Sequence, residues 1–503
     1  MNPASQRFAP GTAGRQPRFH TLQRRFLSLV LLGMLTQAWG AAQPLRLHPQ
    51  NPHYFEFRGK PTVIITSGEH YGAVLNLDFN YARYLETLER DGMNSTRTFA
   101  GAYCEPPGAF NIAQNTLAPR AGRFISPWAR SDQPGYPNGG NKFDLNRWDN
   151  AYFKRLKDFM TEASKRGVIV ELNLFCPFYE ESMWKLSPMN AANNVNGVGA
   201  VARTNVYTLD KHGGLLAHHE GMTRKIVREL KDFDNLYYEI CNEPYFGGVT
   251  LEWQHHIAEV IVATEKELGV THLVSQNVAN GKAKVENPHP AISIFNFHYA
   301  SPPDTVAMNY GLNKVIGDNE TGFRGTNDTP YRIEAWDFIV AGGALFNHLD
   351  YSFVAGHEDG TFAYPASQPG GGNPGFRKQM RFLRDVVGQY DFLHMRPEPD
   401  MVKGSFPAGV TVRALSGSGK GCLVYLRTGL GAAKDKPRQT AFPADELRFG
   451  LNLPKGTFQV EWLNTKTGSI LKAETIDHAG GLREFPVPAF QDDIALALKP
   501  PRK

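Results

Sequence analysis

Cysteine is scarce. The 503 residues hold four, Cys104, Cys176, Cys241 and Cys422. No two stand as CxxC, so the chain shows neither a zinc-ligand spacing nor a thioredoxin-like redox pair. Cys104 and Cys176 each follow an expected strand at the same end of the fold. In an oxidising compartment they are the pair to test for a disulfide; buried free thiols are the other reading. Long apolar runs are missing as well. FLSLVLLGML, Phe26 to Leu35, is about ten residues and too short to span a bilayer. A surplus of one charge is also missing. The formal net charge is +5, but residues 1–40 contain five arginines and no acid, which leaves the remainder near neutral. No basic stripe remains, so nucleic acid is not an expected partner. His218-His219-Glu220 and His255-His256 are adjacent pairs rather than HExxH, so no catalytic metal is expected. There is no internal repeat and no low-complexity tract.

The arginine-rich start, the short apolar run and Ala38-Trp39-Gly40 before Ala41 together read as a signal peptide over residues 1–40. RRFL resembles a twin-arginine signal, but Phe26 sits one position early, which favours the general secretory route. An uncleaved anchor is the alternative. The expected location is periplasmic or extracellular, with no stable membrane insertion after cleavage.

What is present is a globular composition, 41% hydrophobic and 20% charged, in a chain long enough for two domains. Apolar strand patterns recur at Pro61–Ser67, Gly92–Ala100, Gly167–Phe175, Tyr237–Cys241, Thr271–Asn277, Ala291–Tyr299, Asn313–Glu320 and Ala344–Phe353. Helical patterns separate most of them, near Tyr81–Asp91, from Trp148 through Met160, Met222–Asp232, Glu252–Leu268 and Tyr331–Gly342. Between strands five and six, VANGKAKVENPHP is too short and too rich in Pro and Gly for a full helix. Alternating β and α with continuous apolar strands predicts an α/β fold, a (β/α)8 TIM barrel over residues 41–397. After Pro397, short alternating runs such as GVTVRALS, GCLVYLRTG and GTFQVEWLN predict a small all-β sandwich over residues 398–503.

A barrel of this kind places its chemistry at the C-terminal strand ends. Those ends offer Glu69 and His70 on strand one, Arg97 on two, Asn173 and Phe175 on three, and Asn242 with Glu243 on four. His298 and Tyr299 end strand six, Glu320 ends seven, and Asp350 ends eight. Breaking a glycosidic bond needs one carboxylic acid to protonate the leaving oxygen and one carboxylate to act on the anomeric carbon. Glu243 and Glu320 stand three strands apart and face each other across the mouth. Arg97 is placed to keep a carboxylate ionised, Tyr299 to orient it, and Asn242 to bond a sugar hydroxyl. Glu243, desolvated beside a sugar and opposite Glu320, is expected to have a raised pKa. Arg97 as a structural ion pair and His298 as a core histidine are the bland alternatives. Glu69, His70 and Asp350 either bind sugar or hold loops. Trp128, Trp184 and Trp253 are candidate stacking platforms near the rim, and Trp184 enters the substrate-binding set. Trp148 and Trp336 sit on amphipathic helical patterns and read as core. The long loops after strands two and three are placed to wall off one end of a groove.

At these residues the chain resembles the clan A glycoside hydrolases, the superfamily that includes glycoside hydrolase family 5. The resemblance spans about residues 45–395. It rests on Asn242-Glu243-Pro244 at strand four, Glu320 at strand seven, Arg97 after Gly92-Met93-Asn94, and His298-Tyr299. It implies that Glu243 is the acid/base and Glu320 the nucleophile of a retaining enzyme on β-linked glycans, with no cofactor. Two departures stand out: strand three lacks the usual His, and strand eight reads HLDYSF without the usual Trp. The tail is similar to small β-sandwiches that follow such barrels, some labelled collagen-binding; no collagen binding is expected from the label. The rival reading is a catalytically inactive carbohydrate-binding or adhesion protein on the same barrel.

Overall fold

The computed structural model describes residues 43–417, 419, 421–429 and 439–500. The expected signal peptide lies outside the described residues. Among the described residues, no helix is long and apolar enough to cross a membrane.

Eight parallel strands build the barrel: β1 (Ile64–Gly68), β2 (Ser95–Phe99), β3 (Ile169–Phe175), β4 (Leu236–Cys241), β5 (Leu273–Asn280), β6 (Ile294–His298), β7 (Val315–Thr321) and β8 (Leu345–Leu349). They hydrogen-bond in the order β1-β8-β7-β6-β5-β4-β3-β2. At the β1–β2 seam, side chains replace the ladder. Asn94 accepts from the Ile65 N–H at 3.0 Å and donates to the Val63 carbonyl at 2.8 Å. The Thr66 hydroxyl donates to the Ser95 carbonyl at 2.6 Å. The (β/α)8 architecture read from the sequence is the observed one.

The covering helices are α1 (Tyr81–Asp91), α2 (Asn150–Lys165), α3 (Leu216–Leu230), α4 (Leu251–Leu268), α5 (Asp304–Asn309), α6 (Asp328–Val340) and α7 (Pro374–Val387). The β5–β6 crossover has no helix, as its Pro and Gly content predicts. Caps set several of the boundaries. Asn80 caps α1 and Gly92 ends it at φ 78°. Asp149 accepts from the Ala151 and Tyr152 N–H groups, so α2 begins after it. Trp148 therefore lies outside the helix that the periodicity assigns it to. It ends the strand Asn141–Trp148, which pairs with Trp128–Pro134 as a hairpin in the long loop after β2. The sequence reading leaves α7 unassigned, although Asn373 caps the Phe376 N–H and Phe376, Met380, Leu383 and Val387 form a buried stripe. All four cysteines are buried and free. Cys104 lies 3.9 Å from the Tyr136 hydroxyl and Cys176 3.9 Å from that of Tyr179; of the two readings, the buried free thiols are the ones observed.

Beyond the barrel, the antiparallel strands Arg396–Pro397, Thr411–Gly417, Gly421–Arg427, Asp493–Lys499, Gly456–Leu463 and Ile470–His478 form a sheet in that spatial order. A three-stranded sheet of Val402–Lys403, Arg448–Leu453 and Gly481–Pro486 contributes to a second apolar core. Gly421–Arg427 is buried along its whole length. Successive side chains point to opposite faces. Val424 and Leu426 enter the core of the C-terminal sheets, while Leu423 and Tyr425 join the core of the barrel.

The element covered by that second face is α6. Its residues Tyr331–Val340 are all buried, so a single sheet behind it would leave one side bare. Trp336 stacks on Tyr425 with ring centroids 5.6 Å apart. Arg332 donates to Asp493 at 2.7 Å, and Asp337 accepts from Arg413 at 2.5 Å and Arg427 at 2.7 Å. Asp493 also accepts from the Tyr425 and Thr465 hydroxyls, at 3.0 and 2.7 Å. Removing one member of a buried, hydrogen-bonded ion pair costs about 3–5 kcal/mol. Asp493→Ala is therefore expected to lower the unfolding free energy by about that much in urea titrations. A loss below about 1 kcal/mol, the range of exposed pairs, would show that this contact is dispensable.

Candidate active site

The polypeptide turns sharply at the C-terminal ends of three strands. Tyr71, Glu243 and Tyr299 follow β1, β4 and β6 and have φ of 60°, 35° and 54°. Non-glycine residues pay a steric penalty in this left-handed region, and such strain concentrates at functional sites. Here it lets an apolar strand end by turning a carboxylate inward, and Pro244 then prevents the strand from continuing.

The two glutamates meet in a cavity of about 380 Å³ whose lining includes Tyr71, Glu105, Tyr179, Glu243, Tyr299 and Glu320. An oxygen of Glu243, an oxygen of Glu320 and a ring nitrogen of His298 all lie within 4.8 Å of one another. Glu320 accepts from the Tyr71 hydroxyl at 3.0 Å, Arg97 Nη1 at 3.0 Å and the Tyr299 hydroxyl at 2.7 Å. Glu243 accepts from the Tyr179 hydroxyl at 2.6 Å and has His298 Nδ1 at 3.1 Å. His298 Nδ1 is also 3.5 Å from Glu320. Burial pushes the Glu243 pKa up, but the bond and charge of His298 and the Tyr179 hydroxyl outweigh it, leaving the value lowered. The raised pKa was expected for Glu243 beside a sugar; the sequence reading did not place the imidazole between the two carboxylates, and it is His298 that lowers the value here. Burial pulls the His298 pKa down, but Glu320 and Glu243 outweigh that and raise it. The two shifts run in opposite directions, each partner favouring the charged form of the other.

Under this pair lies a polar layer inside the barrel. Arg97 bonds Glu239, Asn242 Oδ1 at 2.6 Å and Glu320. Its Nε stands 2.5 Å from Glu171, too bent for a hydrogen bond. Glu239 also accepts from the amides of Asn173, Asn296 and Asn319 at 2.8, 2.6 and 2.9 Å. Burial pushes the Glu239 pKa up, but Arg97, the Asn296 amide, the His298 charge and the Asn173 amide leave it lowered. Glu171 is pushed up to about 7 by burial and by Glu239. The sequence contained a signal for this layer. Glu171 with Asn173, and Glu239, interrupt mostly apolar, wholly buried strands, and a buried carboxylate requires a partner.

Of the predicted site residues, Glu243, Glu320, Asn242, Arg97, His298 and Tyr299 come together. Asn242 also donates to the Tyr179 hydroxyl at 2.8 Å. His70 lines the cavity, with both ring nitrogens buried and without a hydrogen-bond partner, and 3.6 Å from Glu105. Glu69, Asp350 and Trp184 do not line it. Glu69 accepts from the Gly72 and Ala73 N–H groups at 3.0 and 2.9 Å and shapes the turn after β1. Asp350 pairs with Arg377 at 2.6 Å and accepts from Ser352. The Trp184 indole donates to the Val201 carbonyl at 3.1 Å and its ring packs on Phe178. Trp128 and Trp253 are also core residues. Position at a strand end does not fix which way a side chain turns, and these turn away. Tyr71, Tyr179 and Glu105 were not singled out from sequence. Tyr71 belongs to GEHYG, directly after β1, so its location was readable although its bond to Glu320 was not.

Among the described residues, Glu243, His298 and Glu320 are the only cluster with metal-ligand spacing. Arg97 and the Tyr71 and Tyr299 hydroxyls already point donors at Glu320, a set suited to an anionic nucleophile more than to a cation.

No protein-family model matches the sequence, and no curated protein matches it. Among solved structures, the chain is similar to one described as a glycoside hydrolase, with a TM-score of 0.60 and 15% identity over 92% of this chain and 98% of that one. It is also similar to a glycoside hydrolase family 5 protein from Bacteroides vulgatus, with a TM-score of 0.61 and 14% identity over 91% of this chain and 94% of that one. The likeness shows a shared fold, the (β/α)8 barrel with its β-rich tail.

Proposed function

We propose that this protein is an exported, retaining glycosidase that cleaves β-linked glycans through a covalent glycosyl-enzyme. The observation that carries the reading is the pair of buried carboxylates, Glu243 and Glu320, with oxygens within 4.8 Å. Retaining enzymes hold their carboxyls about 5–5.5 Å apart, whereas inverting ones leave about 6.5–9.5 Å for a water. Glu320, gripped by Arg97, Tyr71 and Tyr299, attacks the anomeric carbon. A proton shared by Glu243 and His298 passes from Glu243 to the departing oxygen. Glu243, now without it, takes a proton from water, and the hydroxide opens the glycosyl ester. The two carboxylates complete this chemistry without a cofactor. Export rests on the basic-then-apolar leader and the small residues before Ala41.

The test is hydrolysis of aryl β-glucosides, mannosides, galactosides and xylosides with matching polysaccharides, followed by proton NMR of the first-formed anomer. The β anomer is expected first. An α product would overturn the retaining mechanism, and glycan binding without turnover would favour the inactive binding protein. Replacing His298 with Asn leaves the shared proton to Glu243 alone. The alkaline limb of kcat/KM, which follows the raised imidazolium in the unaltered protein, is expected to move to lower pH, toward the range of a carboxylic acid. An unmoved limb would take His298 out of the proton's path.

A further inference from the structure

The mouth of the cavity is ringed by aromatic side chains. Phe110 comes from the loop after β2, Tyr179 from that after β3, Tyr245 and Phe246 from that after β4, Tyr299 from the end of β6 and Phe323 from the loop after β7. Their rings touch in sequence around the opening. Centroids are 5.8 Å apart for Phe246–Tyr179, 5.3 Å for Tyr179–Phe110, 6.3 Å for Phe110–Phe323 and 6.2 Å for Phe323–Tyr299. Tyr245 packs on Phe246 at 5.0 Å, and its hydroxyl bonds Asn280 at the end of β5. Asn280 is the register partner of His298, beside Tyr299, so the two ends of this arc stand on neighbouring strands.

This geometry bears on which substrates fit. A groove for the interior of a polysaccharide must be open at both ends. Here the loops after β2 and β7 meet through Phe110 and Phe323 across the mouth above the carboxylates, which obstructs a through-running groove at that side. The cavity, about 380 Å³, lies toward the small end of ligand pockets, about 300–1,000 Å³. The collar's outward face is apolar. Phe110, Phe246 and Phe323 are 39%, 43% and 40% exposed, and a phenyl ring offers an apolar face but no hydrogen bond to a hydroxyl. Clustered exposed aromatics around a polar pocket mark a binding surface for an apolar group.

We propose that the protein removes a single terminal sugar from a glycoside whose leaving group is apolar, an aryl or alkyl alcohol held by Phe110, Phe246 and Phe323. This rests on the glycosidase reading above. The bond between the anomeric carbon and the glycosidic oxygen breaks, the aglycone departs as an alcohol with the proton from Glu243, and water supplies the hydroxyl left on the sugar.

Matched methyl and octyl β-glycosides of glucose, mannose, galactose and xylose test this, beside β-linked polysaccharides of the same sugars. For the sugar that is accepted, kcat/KM for the octyl glycoside is expected to exceed that for the methyl glycoside by about tenfold or more. The polysaccharide should yield monosaccharide or nothing. Phe110→Ala/Phe323→Ala, checked for an unchanged melting profile, is expected to bring the octyl-to-methyl ratio close to one. An unaltered ratio near one, or release of internal oligosaccharides, overturns the proposal. No turnover on any substrate overturns the glycosidase reading and this cleavage with it. Calorimetric titration of Glu320→Gln with both glycosides separates the two failures, since tighter octyl binding that the Phe variants lose belongs to the collar alone.

Discussion

Glu320→Ala is expected to lower kcat on aryl glycosides by on the order of 10⁴-fold or more, because no covalent glycosyl ester can then form. Arg97, Tyr71 and Tyr299 would still point their donors at the vacated position. Azide can enter that space and attack the anomeric carbon from the same side, so a β-glycoside should give the α-glycosyl azide. Glu243→Ala should behave differently. With an activated aryl leaving group the ester still forms on Glu320 and accumulates, and azide then opens it from the opposite face to give the β-glycosyl azide. The two variants thus separate nucleophile from acid/base by product stereochemistry. The same azide anomer from both would sink the assignment, and full activity in Glu320→Ala would remove the glutamate from the chemistry.

The second large effect is on stability. Arg97 is the guanidinium between Glu171, Glu239 and Glu320, and all four residues are buried. Arg97→Leu removes that counter-charge and is expected to cost about 3–5 kcal/mol. The sign of its pH dependence follows from the carboxylates. Glu239 has a lowered pKa in the folded protein, where burial is outweighed by Arg97 and by amide donors. A lowered folded pKa contributes stability above the unfolded value, about 4.3 for Glu, and loses it as pH falls through the folded one. Without Arg97, burial dominates and raises the folded value instead. The folded state then binds more protons than the unfolded one, and stability falls as pH rises through that window. Urea titrations should show a small loss near pH 4 and a larger one near pH 7. A loss equal at both values would mean that the variant fails through packing rather than charge.

The polar layer also shows how far the chain could be read in advance. Apolar strands spaced by helical periods sufficed for a parallel barrel, and polar residues at the strand tips located its working end. Asn242, Glu243, His298, Tyr299, Glu320 and Arg97 are each within a residue or two of a strand end, so their convergence follows from topology alone. Glu171 and Glu239 lay within runs read as uniformly apolar, where only their partnership with Arg97 makes them tolerable. Trp148 was misplaced because periodicity does not see a cap: Asp149 starts the helix one residue too late to include it. Glu69 and Asp350 were left between binding sugar and holding loops, and Trp184 was one of three candidate platforms. Their side chains are committed to backbone N–H groups, an arginine and a carbonyl, which a strand-end position does not reveal.

By itself, the sequence determined the order of the eight barrel strands, the barrel, the β-rich tail and the two glutamates facing each other across the mouth, since these depend on local periodicity and on which strands neighbour one another. Tertiary structure alone decided three things. It set the carboxylate separation, which depends on the barrel's curvature. It placed His298 between the two carboxylates, which reverses the expected direction of the Glu243 shift. It also brought Phe110, Tyr179, Phe246 and Phe323 into one collar from loops up to 213 residues apart in the chain, from Phe110 to Phe323. No local pattern encodes such a contact, because it exists only once the barrel has brought the ends of β2 and β7 to the same rim.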